Sequence, residues 1–166
     1  MTQVMRPLIL VLLAVTLATT GCTSSRTDET TSAKLQFAAD EPPLYPNETP
    51  ELRAKINKWA DFYEVPRALV HRVVIRESTH RPWARNGPYY GLMQILPATA
   101  RSMGFRGQPN DLLDPETNLK YAVKYLRGAW LLADGSQDAA VGLYARGYYY
   151  EAKRRGMLVE TGLRSG

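Results

Sequence analysis

Cysteine occurs once in the 166 residues, at Cys22, so no intramolecular disulfide can form and packing alone must hold the fold. A membrane-length hydrophobic run is also missing. The most apolar stretch, residues 8–18, is 11 residues long, too short to cross a bilayer as a helix. Histidine occurs only at His71 and His80, nine positions apart, with no cysteine beside them and no dense acidic cluster. No metal site and no cofactor are therefore expected. There is no phosphate loop and no dinucleotide fingerprint. No run of Lys and Arg alternates with aromatics as a nucleic-acid groove would, so no nucleic-acid partner is expected. The net charge of +5 is mild. It suits a polyanionic envelope surface without selecting one. Internal repeats and convincing alternating strands are lacking as well.

What the N-terminus does contain is a single charge, Arg6, the apolar run 8–18, and then Thr19, Thr20 and Gly21 directly before Cys22. Charge, short apolar core and small residues are the layout of an export signal. The junction resembles the lipobox of bacterial lipoproteins, although Thr19 stands where an aliphatic residue is usual. The resemblance implies that residues 1–21 are removed and that Cys22 carries lipid, which accounts for an otherwise stray thiol. Several acyl chains on one residue give stable membrane attachment. The alternative is an ordinary secretory signal with a chance cysteine. Removal of 1–21 takes Arg6 and no acid, lowering the net charge from +5 to +4.

Residues 22–49 are rich in Ser, Thr, acids and Pro, a tether composition. A flexible chain of that length averages about 30 Å end to end. The remaining 117 residues, 50–166, suffice for one core. That domain reads as helical. Thr49-Pro50-Glu51 is a cap, a proline at the first helical position and an early acid. Leu52, Ile56, Trp59, Ala60 and Tyr63 follow at helical spacing. A second helix opens at Pro66, with Leu69, Val70, Val73 and Val74 on one face, and a short third opens at Pro97, closed by Gly104. Asp114-Pro115-Glu116 starts a fourth, closed by Gly135, and Ser136 caps a fifth over residues 137–145. A sixth runs from about 148 to 155. The stretch between residues 81 and 91 is expected to hold a small hairpin or an irregular loop.

On the second helix the position after Val70, Val73 and Val74 on the apolar face is Glu77. Partial desolvation raises a carboxyl pKa, and a helix C-terminus disfavours negative charge. Both effects favour the protonated acid that a general acid needs. The alternative is a solvated helix-end charge paired with Arg76, Arg81 or Arg85.

The neighbouring residues carry a family resemblance. Residues 65–69 (Val-Pro-Arg-Ala-Leu) lead to Arg76-Glu77-Ser78. Gly91-Leu92-Met93-Gln94-Ile95 and Pro97-Ala98-Thr99-Ala100-Arg101 follow, and then Asp114-Pro115-Glu116-Thr117-Asn118. In order and spacing, over about residues 53–147, this resembles the soluble lytic transglycosylase domain. The resemblance implies a mainly helical, lysozyme-like fold and cleavage of the bond from N-acetylmuramic acid to N-acetylglucosamine in peptidoglycan strands. It makes Glu77 the acid and then the base, with a 1,6-anhydro product and no water consumed. An independent feature agrees: residues 78–110, 33 in all, contain no Asp or Glu, whereas most glycosidases need a second carboxylate.

The resemblance also assigns Gln94 to the sugar cleft and Tyr144 to a hydroxyl that donates to Glu77. Ser78, Asn86 and Met93 complete the expected substrate-binding set, with Ser78 equally readable as a helix-end anchor. Trp83, Tyr89, Tyr90 and Tyr148–Tyr149–Tyr150 are candidates to stack on sugars. Departures occur too. The family's Ala-Tyr-Asn-Ala-Gly run is here Leu143-Tyr144-Ala145-Arg146-Gly147, Asn86 replaces a frequent Ser, and Leu96 replaces a frequent Met. Two other readings stay open: a hydrolytic muramidase on the same fold, and a wall-binding lipoprotein without catalysis. The expected location is the periplasmic face of the envelope, anchored to the outer membrane through Cys22. The sequence names no protein partner.

Overall fold

The structure, a computed structural model, describes residues 42–164. The signal segment, Cys22 and most of the expected tether lie outside the described residues. The compact unit is Pro43–Gly166, so it begins seven residues before the expected boundary at 50. Among the described residues no helix is long and apolar enough to cross a membrane.

The elements are α1 (Pro50–Phe62), α2 (Arg67–Ser78), β1 (Arg85–Asn86), β2 (Tyr89–Tyr90) and α3 (Pro97–Ser102). A 3-10 helix (Pro109–Leu113) follows, then α4 (Pro115–Leu131), α5 (Gln137–Arg146) and α6 (Tyr149–Arg154). The mainly helical, lysozyme-like class expected from the sequence is what is found. Caps set three of the helix starts. Thr49 accepts from Leu52 N–H at 3.2 Å, Asp114 from Thr117 N–H at 2.8 Å and Ser136 from Ala139 N–H at 3.2 Å. Each satisfies one of the amides that a first turn leaves unpaired. The expected hairpin is present: Asn86 pairs with Tyr89 across the two-residue loop Gly87-Pro88. Gly87 has φ +56°, a backbone that glycine adopts without strain.

Helix α4 is the axis of the core. It buries Leu119, Ala122, Val123, Leu126 and Ala129 and packs against α1, α3, α5 and the 3-10 helix. Helix α1 lays Leu52, Ile56, Trp59 and Ala60 against α4 and α2. Burying each such aliphatic side chain stabilises the fold by about 1.5–3 kcal/mol. Gly128 lets α6 approach: a Cβ there would lie 2.2 Å from the Tyr148 hydroxyl, which donates to Tyr125 C=O at 2.9 Å.

One polar side chain ties the loops to this core. Asn118, in the first turns of α4, is fully buried. Its Oδ1 accepts from Met93 N–H at 3.0 Å, and its Nδ2 donates to Tyr90 C=O and Leu112 C=O, both at 2.8 Å. Gly91 passes so close that an added Cβ would meet Asn118 Nδ2 at 2.3 Å. The Gly91–Gln94 turn, closed locally by Gln94 N–H on Gly91 C=O at 3.2 Å, is thus also tied to α4.

Candidate active site

A cleft of about 770 Å³ opens between the end of α2, the hairpin, the start of α3 and the end of α5. Glu77 sits in its wall on the last turn of α2. That helix ends at Thr79, which adopts a left-handed backbone (φ 52°) and returns its N–H to Val74 and Ile75 C=O. The Glu77 side chain keeps 21 % of its surface exposed, enough to meet a ligand. Burial pushes its carboxyl pKa above the ordinary 4.5, opposed only by Arg76. The Arg76 Nε lies 3.7 Å away on a half-exposed side chain, too far for a hydrogen bond. The alternative pairing with Arg81 or Arg85 is not made: Arg81 Nε donates to Ser78 C=O, and Arg85 lies over the Tyr90 ring. Among the described residues, Glu77 is the one carboxylate lining the cleft.

Gln94 also lines the cleft. Its backbone is left-handed (φ 45°), and its Nε2 donates to Gly91 C=O at 2.8 Å and Ala84 C=O at 3.0 Å. Both amide hydrogens are thus used within the protein, leaving Oε1 to accept from a substrate hydroxyl. Asn86, Trp83 and Tyr89 line the same space, and Trp83 is 69 % exposed.

Tyr144 reaches the cleft, but its expected role is corrected. Its hydroxyl donates to Met93 C=O at 2.8 Å, so its only proton goes to the backbone of the Gly91–Gln94 turn and not to Glu77. Burial, helped by the nearby Glu77 charge, pushes its phenol pKa well up and keeps that donor protonated. Ser78 and Met93 are corrected as well. Ser78 is 2 % exposed and bonds back to Val74 C=O at 3.2 Å. It lies one position on from Glu77, about 100° around the helix, and so turns into the core. Met93 is fully buried, and only its backbone serves the site. Tyr90 and Tyr148 are core residues, and Tyr149 and Tyr150 are exposed away from the cleft lining.

Four arginines in the lining, Arg76, Arg81, Arg85 and Arg146, were missed as site residues, as was Tyr125. The density of arginine between residues 72 and 85 was the available signal. Arg146 and Ala145, both in the departing motif, lie side by side in the cleft wall, so the departure places a cation there. The separation assumed for the histidines also fails. His71, His80 and Glu48 converge, with three ligand-type atoms within 4.8 Å of one another.

No solved structure matches the chain. A family model described as the transglycosylase SLT domain matches residues 54–155, a span that contains Glu77, the Gly91–Gln94 turn, Asn118 and Tyr144. With more than half of its length so matched, the chain belongs to the SLT transglycosylase domain family.

Proposed function

We propose that this lytic transglycosylase cuts the β-1,4 bond from N-acetylmuramic acid to N-acetylglucosamine without water. The observation that carries the reading is a single carboxylate, with raised pKa, in the cleft. Protonated Glu77 gives its proton to the glycosidic oxygen as the C1–O bond breaks and the bonding pair leaves with that oxygen. The resulting carboxylate then takes the proton of the muramic 6-hydroxyl as O6 bonds to C1. The 1,6-anhydro ring closes and Glu77 ends protonated, ready for another cycle. Hydrolysis would instead call for a second carboxylate, about 5–5.5 Å away as nucleophile or about 6.5–9.5 Å away to activate water. The arginine-rich lining suits strands whose peptide stems carry carboxylates.

The run 8–18 and Cys22 support export and lipid anchoring at the periplasmic face of the outer membrane. Mass spectrometry of products from purified glycan strands tests the chemistry. An anhydro end with unchanged total mass is expected, and a reducing end with added water would overturn the reading.

A further inference from the structure

Outside the cleft, the N-terminal segment, the middle of α2 and the residue after its cap bring Glu48, His71 and His80 together. None of the three lines the cleft. The Glu48 and His80 side chains are fully buried and that of His71 is 10 % exposed. Glu48 Oε1 lies 3.5 Å from His71 Nδ1 and 3.7 Å from His80 Nε2. These distances are too long for good hydrogen bonds. Glu48 Oε1, His71 Nδ1 and both nitrogens of His80 find no hydrogen-bond partner. Buried polar atoms are rarely left so, because each costs about 1–3 kcal/mol.

We propose that Glu48, His71 and His80 bind a divalent transition-metal ion of the zinc class, in a structural site behind the catalytic helix. Two nitrogens and one carboxylate oxygen are a donor set for such an ion. Ligand bonds of about 2.0–2.1 Å at tetrahedral angles separate neighbouring donors by about 3.3–3.4 Å. The two separations from Glu48 are a few tenths of an ångström wider, and all three donor atoms lie within 4.8 Å of one another, so the side chains must draw together to close on an ion.

The surroundings are those of ligands held from behind. Glu48 Oε2 accepts from Arg53 Nη2 at 2.6 Å and from Tyr45 N–H at 2.9 Å, leaving Oε1 to face the imidazoles. His71 Nε2 pairs with Asn57 Oδ1 at 3.2 Å. An amide oxygen can only accept, so Nε2 carries the hydrogen, and in the neutral ring Nδ1 presents a lone pair to Glu48 Oε1. Two lone pairs facing each other repel unless a proton or a cation lies between them. The Tyr45 ring stacks on His80, centroids 5.3 Å apart and 9° from parallel. An ion here joins residues 45–48 to α2 and to the left-handed Thr79–His80 pair (φ 52° and 57°). That pair begins two residues after Glu77.

The test uses the full chain purified in detergent, stripped with a chelator and then titrated with Co2+ and with Zn2+. One equivalent of Co2+ is expected to give visible d–d absorption, displaced by Zn2+. Saturating Zn2+ is expected to raise Tm by about 5 °C or more. Glu48→Gln and His80→Gln should each weaken binding at least about a hundredfold. Asn57→Ala, which keeps all three ligands, should weaken it about 10–100-fold. A stripped wild-type chain that takes up no ion and shows no Tm response overturns the proposal, whatever the variants do. So does a Co2+ spectrum unchanged in His80→Gln, or NMR showing a protonated His71 paired with Glu48 in metal-saturated protein. None of these readouts depends on glycan cleavage.

Discussion

One glutamate on the last turn of α2, Glu77, and one packed beside that helix, Glu48, have surroundings that set opposite chemistry. At Glu77 the half-exposed Arg76 guanidinium, 3.7 Å away, only partly offsets desolvation, so the proton is held above the ordinary range. At Glu48 desolvation is the largest single influence too. There the hydrogen bonds from the Arg53 guanidinium and the Tyr45 N–H lead the influences that hold the carboxyl below the ordinary range. Burial alone therefore does not decide whether a carboxylate keeps its proton; the donors that meet it do. The less buried of the two is the one fitted to give a proton away.

The strongest way to break that contrast is at Glu77 itself. Glu77→Gln is expected to lower anhydro-product formation by about 10²–10⁴-fold or more, with an unchanged far-UV spectrum. Retention of a tenth of wild-type turnover would remove Glu77 from the chemistry. At the other glutamate the damage should fall on stability. Glu48→Ala leaves Arg53 without its carboxylate and is expected to cost about 3–5 kcal/mol, read as a lower urea midpoint. An unfolding curve matching wild type would mean that residues 43–49 do not belong to the folded unit.

Tyr144→Phe should act more weakly than a hydrogen bond to Glu77 would require. Loss of the bond to Met93 C=O is expected to cost about 1 kcal/mol of stability and less than about tenfold in rate. A hundredfold loss of rate at unchanged Tm would show that the hydroxyl serves Glu77 after all.

The finest comparison is by pH. The folded state holds the Glu77 proton more tightly than the unfolded chain does. Its contribution to stability is therefore full below pH 4.5 and is lost as pH rises through the folded-state pKa. The Gln variant does not titrate there. The Tm of Glu77→Gln relative to wild type is expected to rise as pH increases from 4 toward 7. A difference constant across that range would mean the pKa is not raised.

The starts of these helices were legible because each carries its own chemistry: an oxygen at Thr49, Asp114 or Ser136, with proline or an acid behind the first two. Glu77 was legible because a charge interrupts an apolar face. Residues 43–49 were not, since Pro and acids read as tether unless Arg53 is known to wait for Glu48. The histidine pair was hidden as well, because the third member of its cluster, Glu48, lies in that segment. Ser78 and Met93 failed differently. A motif marks residues that matter, but not whether they matter by side chain, as Gln94 does, or by backbone, as Met93 does. Asn118 stood in a recognised motif, yet only the fold shows that its amide reaches Tyr90, Met93 and Leu112.

That reach has a kinetic meaning. The three backbone groups Asn118 holds come from segments 6 to 28 residues away in sequence, so one side chain joins stretches whose local bonds do not reach one another. Docking of the first turns of α4 therefore completes the floor of the cleft by fixing these stretches to one another. A fluctuation there dismantles the turn carrying Gln94 and the carbonyl that Tyr144 grips in one cooperative event. The enzyme should pass between a complete site and none, without a partly formed one able to nick its substrate.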